Sequence, residues 1–150
     1  MPQPLRIVSP VHKATRQLGE YMLEASRALG VEPNEGHLLS YTTLYGPCPV
    51  SELARVFGYA PSTVTGILDR LESAGMLVRE PNASDRRSFL VRVTPEGDTV
   101  ATRLRQRLEE LEREIVERVG HEGMAGFEAV MAALGDITQI DLRADAREEE

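Results

Sequence analysis

The chain has 150 residues, 41% of them hydrophobic, with 17 basic and 24 acidic side chains and a formal net charge of −7. That length suits one substantial core rather than two. No run of 18 apolar residues marks a membrane span, the opening MPQPLRIVSPV lacks the order of a signal peptide, and the single cysteine, Cys48, excludes an internal disulfide, so a cytoplasmic protein is expected.

In chain order, Ser9-Pro10 can cap and start a first helix, whose Leu18, Met22, Ala25 and Leu29 recur every three or four residues until Gly30. Pro33 opens a second helix carrying Leu38, Leu39, Tyr41 and Leu44, and Gly46-Pro47 ends it. From Val50 the pattern predicts two short helices around a tight turn. Leu53, Ala54, Val56 and Phe57 give the first an apolar face, and Gly58 stands where such a helix stops. Pro61 fits the first position of the next helix, which buries Val64, Ile67, Leu68 and Leu71 and ends at Gly75. Ser62, Thr63, Thr65, Gly66, Asp69 and Arg70 are left on its outer side. Residues 76–80 and 89–93 alternate as two paired strands, with the turn formers Pro81-Asn82-Ala83-Ser84-Asp85 and then Arg86-Arg87 between them. Thr94 can cap, and Pro95 begin, a long helix. Its stripe of Val100, Leu104, Leu108, Leu111, Ile115 and Val119 is broken by Gly120. Met124, Phe127, Met131, Leu134 and Ile137 form a last apolar face before an acidic tail, frayed over residues 144–150.

This order predicts a mainly α fold with a small β-wing. A winged helix–turn–helix lobe spans 33–94, and helices over 9–30 and 95–143 form a dimerisation region. The second short helix is the size to enter a DNA major groove while the hairpin reaches the neighbouring backbone or minor groove. Two features of that helix stand out. Ala60 supplies no side-chain acceptor at the N-cap, and Gly66 sits mid-helix, where glycine costs roughly 1 kcal/mol relative to alanine. A close approach of backbone to DNA would explain the glycine. The net charge argues against nucleic acid, but its distribution weakens the objection. Residues 51–94 hold six arginines against five acids, so the acidity lies outside the reading head.

The segment PSTVTGILDRLESAGMLVREPNASDRRSFLVRVTPEG resembles the MarR family of winged helix–turn–helix transcription regulators. Its most specific parts are Asp85-Arg86-Arg87, the preceding Leu71-Glu72-x-x-Gly75 and the following Thr94-Pro-Glu-Gly97. The resemblance implies that Asp85 orients Arg87 and that Arg86 or Arg87 enters the minor groove. It also implies a homodimeric, ligand-responsive repressor on a palindromic operator of double-stranded DNA. Independently, the terminal stripes call for a second copy, since each fully buried Leu, Val, Ile, Met or Phe is worth about 1.5–3 kcal/mol. The DNA-contacting set is then Ser62, Thr63, Thr65, Gly66, Arg70, Asp85, Arg86 and Arg87.

In relatives of this kind, small aromatic or phenolic effectors lodge between the dimerisation helices and the DNA-binding lobe. The residues here that suit such a space are His12, Arg16, Met22, Tyr41, Leu44 and Tyr45. Two other readings remain: a winged-helix interaction module without DNA binding, and a redox-responsive regulator using Cys48. No cofactor or metal is expected, because His12, His37 and His121 are dispersed and no Cys/His pair has zinc-ligand spacing. No phosphate loop or nucleophile–base motif appears, so the chain is not expected to be an enzyme.

Overall fold

The computed structural model describes residues 3–139, so the acidic tail expected at 144–150 lies outside the described residues. Within them, five helices and three strands follow in the order α1 (Val8–Arg27), α2 (Pro33–Tyr45), β1 (Cys48–Pro49), α3 (Val50–Phe57), α4 (Pro61–Ser73), β2 (Leu77–Pro81), β3 (Phe89–Val93) and α5 (Pro95–Thr138). Most boundaries fall where the proline and glycine punctuation places them. The first helix is an exception, beginning at Val8 with Ile7 as an uncapped N-terminus, so Ser9 and Pro10 lie inside its first turn. Proline is tolerated there because the first N–H groups of a helix have no partner in any case.

The expected two-stranded wing is a three-stranded antiparallel sheet in the order β1-β3-β2. The hairpin pairs Leu77 with Val93 and Pro81 with Phe89, while Cys48 and Pro49 pair with Val91 and Leu90 on the other edge of β3. A two-residue strand containing proline carries no alternation to read, and the proline fits an outer edge where no donor is needed.

The core lies where α2, α4 and the sheet converge. Leu38, Leu39, Leu53, Ile67, Leu68, Leu71, Leu77, Val91 and Leu104 are all at most 1% exposed. The inner stripe of α4 and the hairpin are therefore held by one apolar cluster. Thr94 caps α5 by accepting from the Gly97 N–H at 3.2 Å. Gly97 is itself required, because a Cβ there would overlap the Met76 carbonyl oxygen at the base of the hairpin. Gly120 interrupts α5 at φ 68° and ψ −175°, so the helix kinks there and continues to Thr138.

Apolar side chains along α1 and α5 stay in water. Leu18, Ile115, Val119, Phe127 and Ile137 are between 47% and 81% exposed. A groove of about 510 Å³ runs between the two helices, lined by Leu18 on one side and Leu111, Ile115, Val119, Met124 and Phe127 on the other. No helix among the described residues is long and apolar enough to cross a membrane.

Candidate nucleic-acid interface

The wing tip organises itself through short side chains. Asn82 Oδ1 accepts from the Ser84 N–H at 3.0 Å, and its amide nitrogen donates to Ser88 Oγ at 3.0 Å. Asp85 Oδ1 accepts from the Arg87 N–H at 3.0 Å, while the Ser88 N–H donates to the Asp85 carbonyl at 3.0 Å. Asp85 thus orients Arg87 through its backbone rather than through the guanidinium, and both Arg86 and Arg87 are exposed to solvent. Asx-type bonds of this kind replace a regular ladder with a fixed turn. Two cations are thereby carried at the end of an ordered hairpin.

Beside the wing, α4 presents Ser62, Thr63 and Thr65 to solvent. Ala60 stands at its N-cap in extended conformation with no side-chain cap bond; Pro61 has no N–H and the Thr63 N–H is taken by the Ala60 carbonyl at 2.9 Å, so only the Ser62 N–H of the first turn is left for an anion from outside the chain. The Thr65 hydroxyl donates to the Pro61 carbonyl at 3.0 Å, which keeps an oxygen lone pair available outward. Gly66 is half-buried, and a Cβ there would meet only Arg70 Nη1, at an ordinary 3.6 Å. Packing within the chain therefore does not require this glycine.

Arg70, expected among the DNA-contacting residues, is ion-paired while its side chain stays 57% exposed. Its Nε donates to Glu35 Oε1 at 2.6 Å, so the side chain is turned toward the N-terminus of α2 instead of standing free for a base. Glu35 comes from a separate helix 35 residues earlier, a partner that sequence spacing does not indicate. Arg79 carries no sequence signal for its part in the site. From β2 its Nη2 donates to Asp69 at 2.7 Å and to Glu72 at 2.6 Å, tying the hairpin to α4. Its hydrogen bonds, side-chain first and then backbone, hold the Glu72 carboxyl below its ordinary pKa. Arg92 pairs with Glu80 across the hairpin. Arg70, Arg79 and Arg92 are thus engaged in ion pairs. Arg86 and Arg87 take no part in those pairs, so two exposed cations stand together at the wing tip.

The six residues expected to line an effector space divide between two places. Met22, Tyr41, Leu44 and Tyr45 border a cavity of about 740 Å³ between α2 and α5, together with His37, Phe57, Leu104 and Arg105. His12 and Arg16 lie apart, on a shallow cleft along the first half of α1 with Lys13 and Glu20. The cause is helical rise: His12 lies ten residues before Met22, about 15 Å along the axis, and α1 meets the cavity only near Met22. Tyr41 and Tyr45 pack with ring centroids 4.6 Å apart, and the Tyr41 hydroxyl donates to Glu52 at 2.9 Å. Burial lowers the His37 pKa, which favours the neutral imidazole. Cys48 is fully buried in β1, whereas an oxidant-sensing thiol needs exposure and a stabilised thiolate. Among the described residues, no cluster of three or more His, Cys, Asp or Glu is placed to hold a metal.

Comparison with known proteins agrees with this geometry. The family model described as MarR family matches residues 31–89. The HTH-type transcriptional repressor MdtR of Bacillus subtilis (strain 168) is 38% identical over 77 residues, covering 51% of this chain and 50% of MdtR. The match thus spans half the length of that curated relative. A crystal structure of a MarR family transcription regulator superposes with a TM-score of 0.83 at 19% identity, covering 93% of this chain and 91% of that one. A mutant of MarR from E. coli, crystallised with operator DNA, gives 0.72 at 22% identity, covering 84% and 91%. At these identities the two structures establish the fold.

Proposed function

We propose, from the match of residues 31–89 to the MarR family model and the similarity to MdtR, that the chain is a MarR-type, sequence-specific DNA-binding repressor of the cytoplasm. It acts as a homodimer on a palindromic operator and responds to a small effector. The observation that carries this reading is the ordered wing tip, where Asp85 and Asn82 fix a turn that exposes Arg86 and Arg87 beside the outward face of α4. The N-terminal half of α4, with its small polar side chains, fits a major groove, and the arginines reach the adjacent minor groove.

The effector site is the cavity between α2 and α5. Its aromatic walls and His37 suit a small aromatic or phenolic ligand, and Arg105, paired with Glu109 at 2.6 Å, borders the same space. Such a ligand acts only if it binds one arrangement of the two reading heads better than the other.

The test is selection of duplexes from a random pool, followed by Arg87→Ala on the enriched sequence. The variant should bind about tenfold more weakly across sequences, with the salt slope reduced by about one. Affinity equal to that of the parent would remove the wing from the interface.

A further inference from the structure

Glu35, at the third position of α2, has a side chain only 8% exposed, and its carboxylate is shared between two donors from different elements. Oε2 accepts from the Glu32 N–H at 2.9 Å and closes a capping box at the start of α2. Oε1 accepts from Arg70 Nε at 2.6 Å and reaches into α4. A carboxylate this far from water is stable only while such donors are present. A local cap could be served by one oxygen; the second is spent on the helix that carries the reading surface.

The surroundings of this pair follow the same plan. Gly66 lies one turn before Arg70 on α4, and a Cβ there would sit 3.6 Å from Arg70 Nη1. The bare backbone at Gly66 thus lies beside the guanidinium that pairs with Glu35. On the other side, Gly36 brings the same turn of α2 against Leu104 of α5. Farther along α2, Tyr41 and Leu44 line the cavity. One helix therefore borders the cavity, packs on α5 and grips α4.

We propose that Glu35 is a positioning residue for DNA recognition. By holding Arg70 across the bare flank left by Gly66, it sets the roll of α4 against the cavity-lining helix and keeps the Arg70 charge away from phosphate. This rests on the DNA-binding reading given above.

The experiment compares the wild-type chain with Glu35→Gln, Arg70→Gln and the double variant. The probes are the duplex that the wild type enriches from a random pool and an unrelated duplex of equal length. Glutamine keeps the cap oxygen and the volume of Glu35 but removes the charge that holds Arg70. Each single variant should lower the ratio of the two affinities by roughly tenfold, and the double variant should be no worse than the weaker single, because both act through one contact. Arg70→Gln should leave the salt slope on the enriched duplex unchanged. A slope smaller by about one would mark a direct phosphate contact and overturn the proposal. So would a Glu35→Gln variant that discriminates as well as the wild type. Should Glu35→Gln fail to fold, Arg70→Gln, altered on an exposed flank, decides by the same two readouts. A wild-type chain that enriches no sequence refutes the DNA-binding reading itself. One that enriches a sequence while the variants discriminate normally refutes the positioning role alone.

Discussion

Arg79 shows how a single side chain joins the two parts of the reading head. Its backbone N–H and guanidinium both reach Glu72, and the guanidinium also takes Asp69, so the hairpin leaves α4 at a fixed angle. The Glu72 carboxyl is held below its usual value of 4.5, first by the side-chain hydrogen bond to Arg79 and then by the backbone one. The unfolded chain therefore binds this proton more readily than the folded chain. The stabilisation is complete above the ordinary glutamate pKa and is lost as pH falls through the lowered one. Arg79→Met should accordingly lower the urea midpoint most at neutral pH, with the gap to wild type narrowing as pH drops below 4.5. Parallel pH profiles for the two chains would show that the pair does not couple to folding. A second readout is DNA affinity at neutral pH, which should fall because the wing loses its fixed angle to α4.

Helices were legible in this chain because proline and glycine mark their ends and because the apolar spacing is regular. Pro33, Pro61 and Pro95 each open the helix expected of them, and Gly58 and Gly75 follow the ends of α3 and α4. What could not be read is what distant segments do to one another. The strand at Cys48–Pro49 is too short to alternate and exists only because β3 offers it an edge. Glu35 closes a capping box within its own turn, while its bond to Arg70 depends on how α2 and α4 are packed. The wing tip was legible for the opposite reason: the bonds that shape it lie within residues 82–88. Gly120 falls between these cases. A break in the stripe was expected there, and the structure makes it a kink whose backbone, at φ 68° and ψ −175°, is close to a glycine-only conformation. Gly120→Ala should cost on the order of 1–3 kcal/mol and redirect the segment carrying Met124 and Phe127. A thermal melt and a sedimentation profile both matching wild type would show that the kink is dispensable.

At the scale of the whole molecule, the chain has two unequal halves. One is a closed core around α2, α4 and the sheet; the other is a pair of long helices whose apolar faces remain wet. Phe127 is 57% exposed, Ile137 81% and Leu18 49%, and they are not scattered, since Leu18 and Phe127 face one groove with Ile115 and Val119. Contiguous apolar surface of that kind marks an interaction site. A second copy is the simplest occupant, because a two-fold axis lets the same stripe serve both partners. On the proposed DNA-binding reading, a second copy would also convert a weak reader into an effective one. With −7 net charge, and with Arg70, Arg79 and Arg92 held in ion pairs, a single head has few cations to offer phosphate. Two linked heads would bind the second half-site at the effective concentration set by their link, which would raise affinity without any new contact. Phe127→Asp should therefore leave the core intact, shift the sedimenting species at micromolar concentration from two chains to one, and reduce affinity for the enriched duplex by roughly 10²-fold or more. Retained affinity in a monomeric Phe127→Asp variant would mean that one head suffices, and the exposed stripes would then serve a different partner.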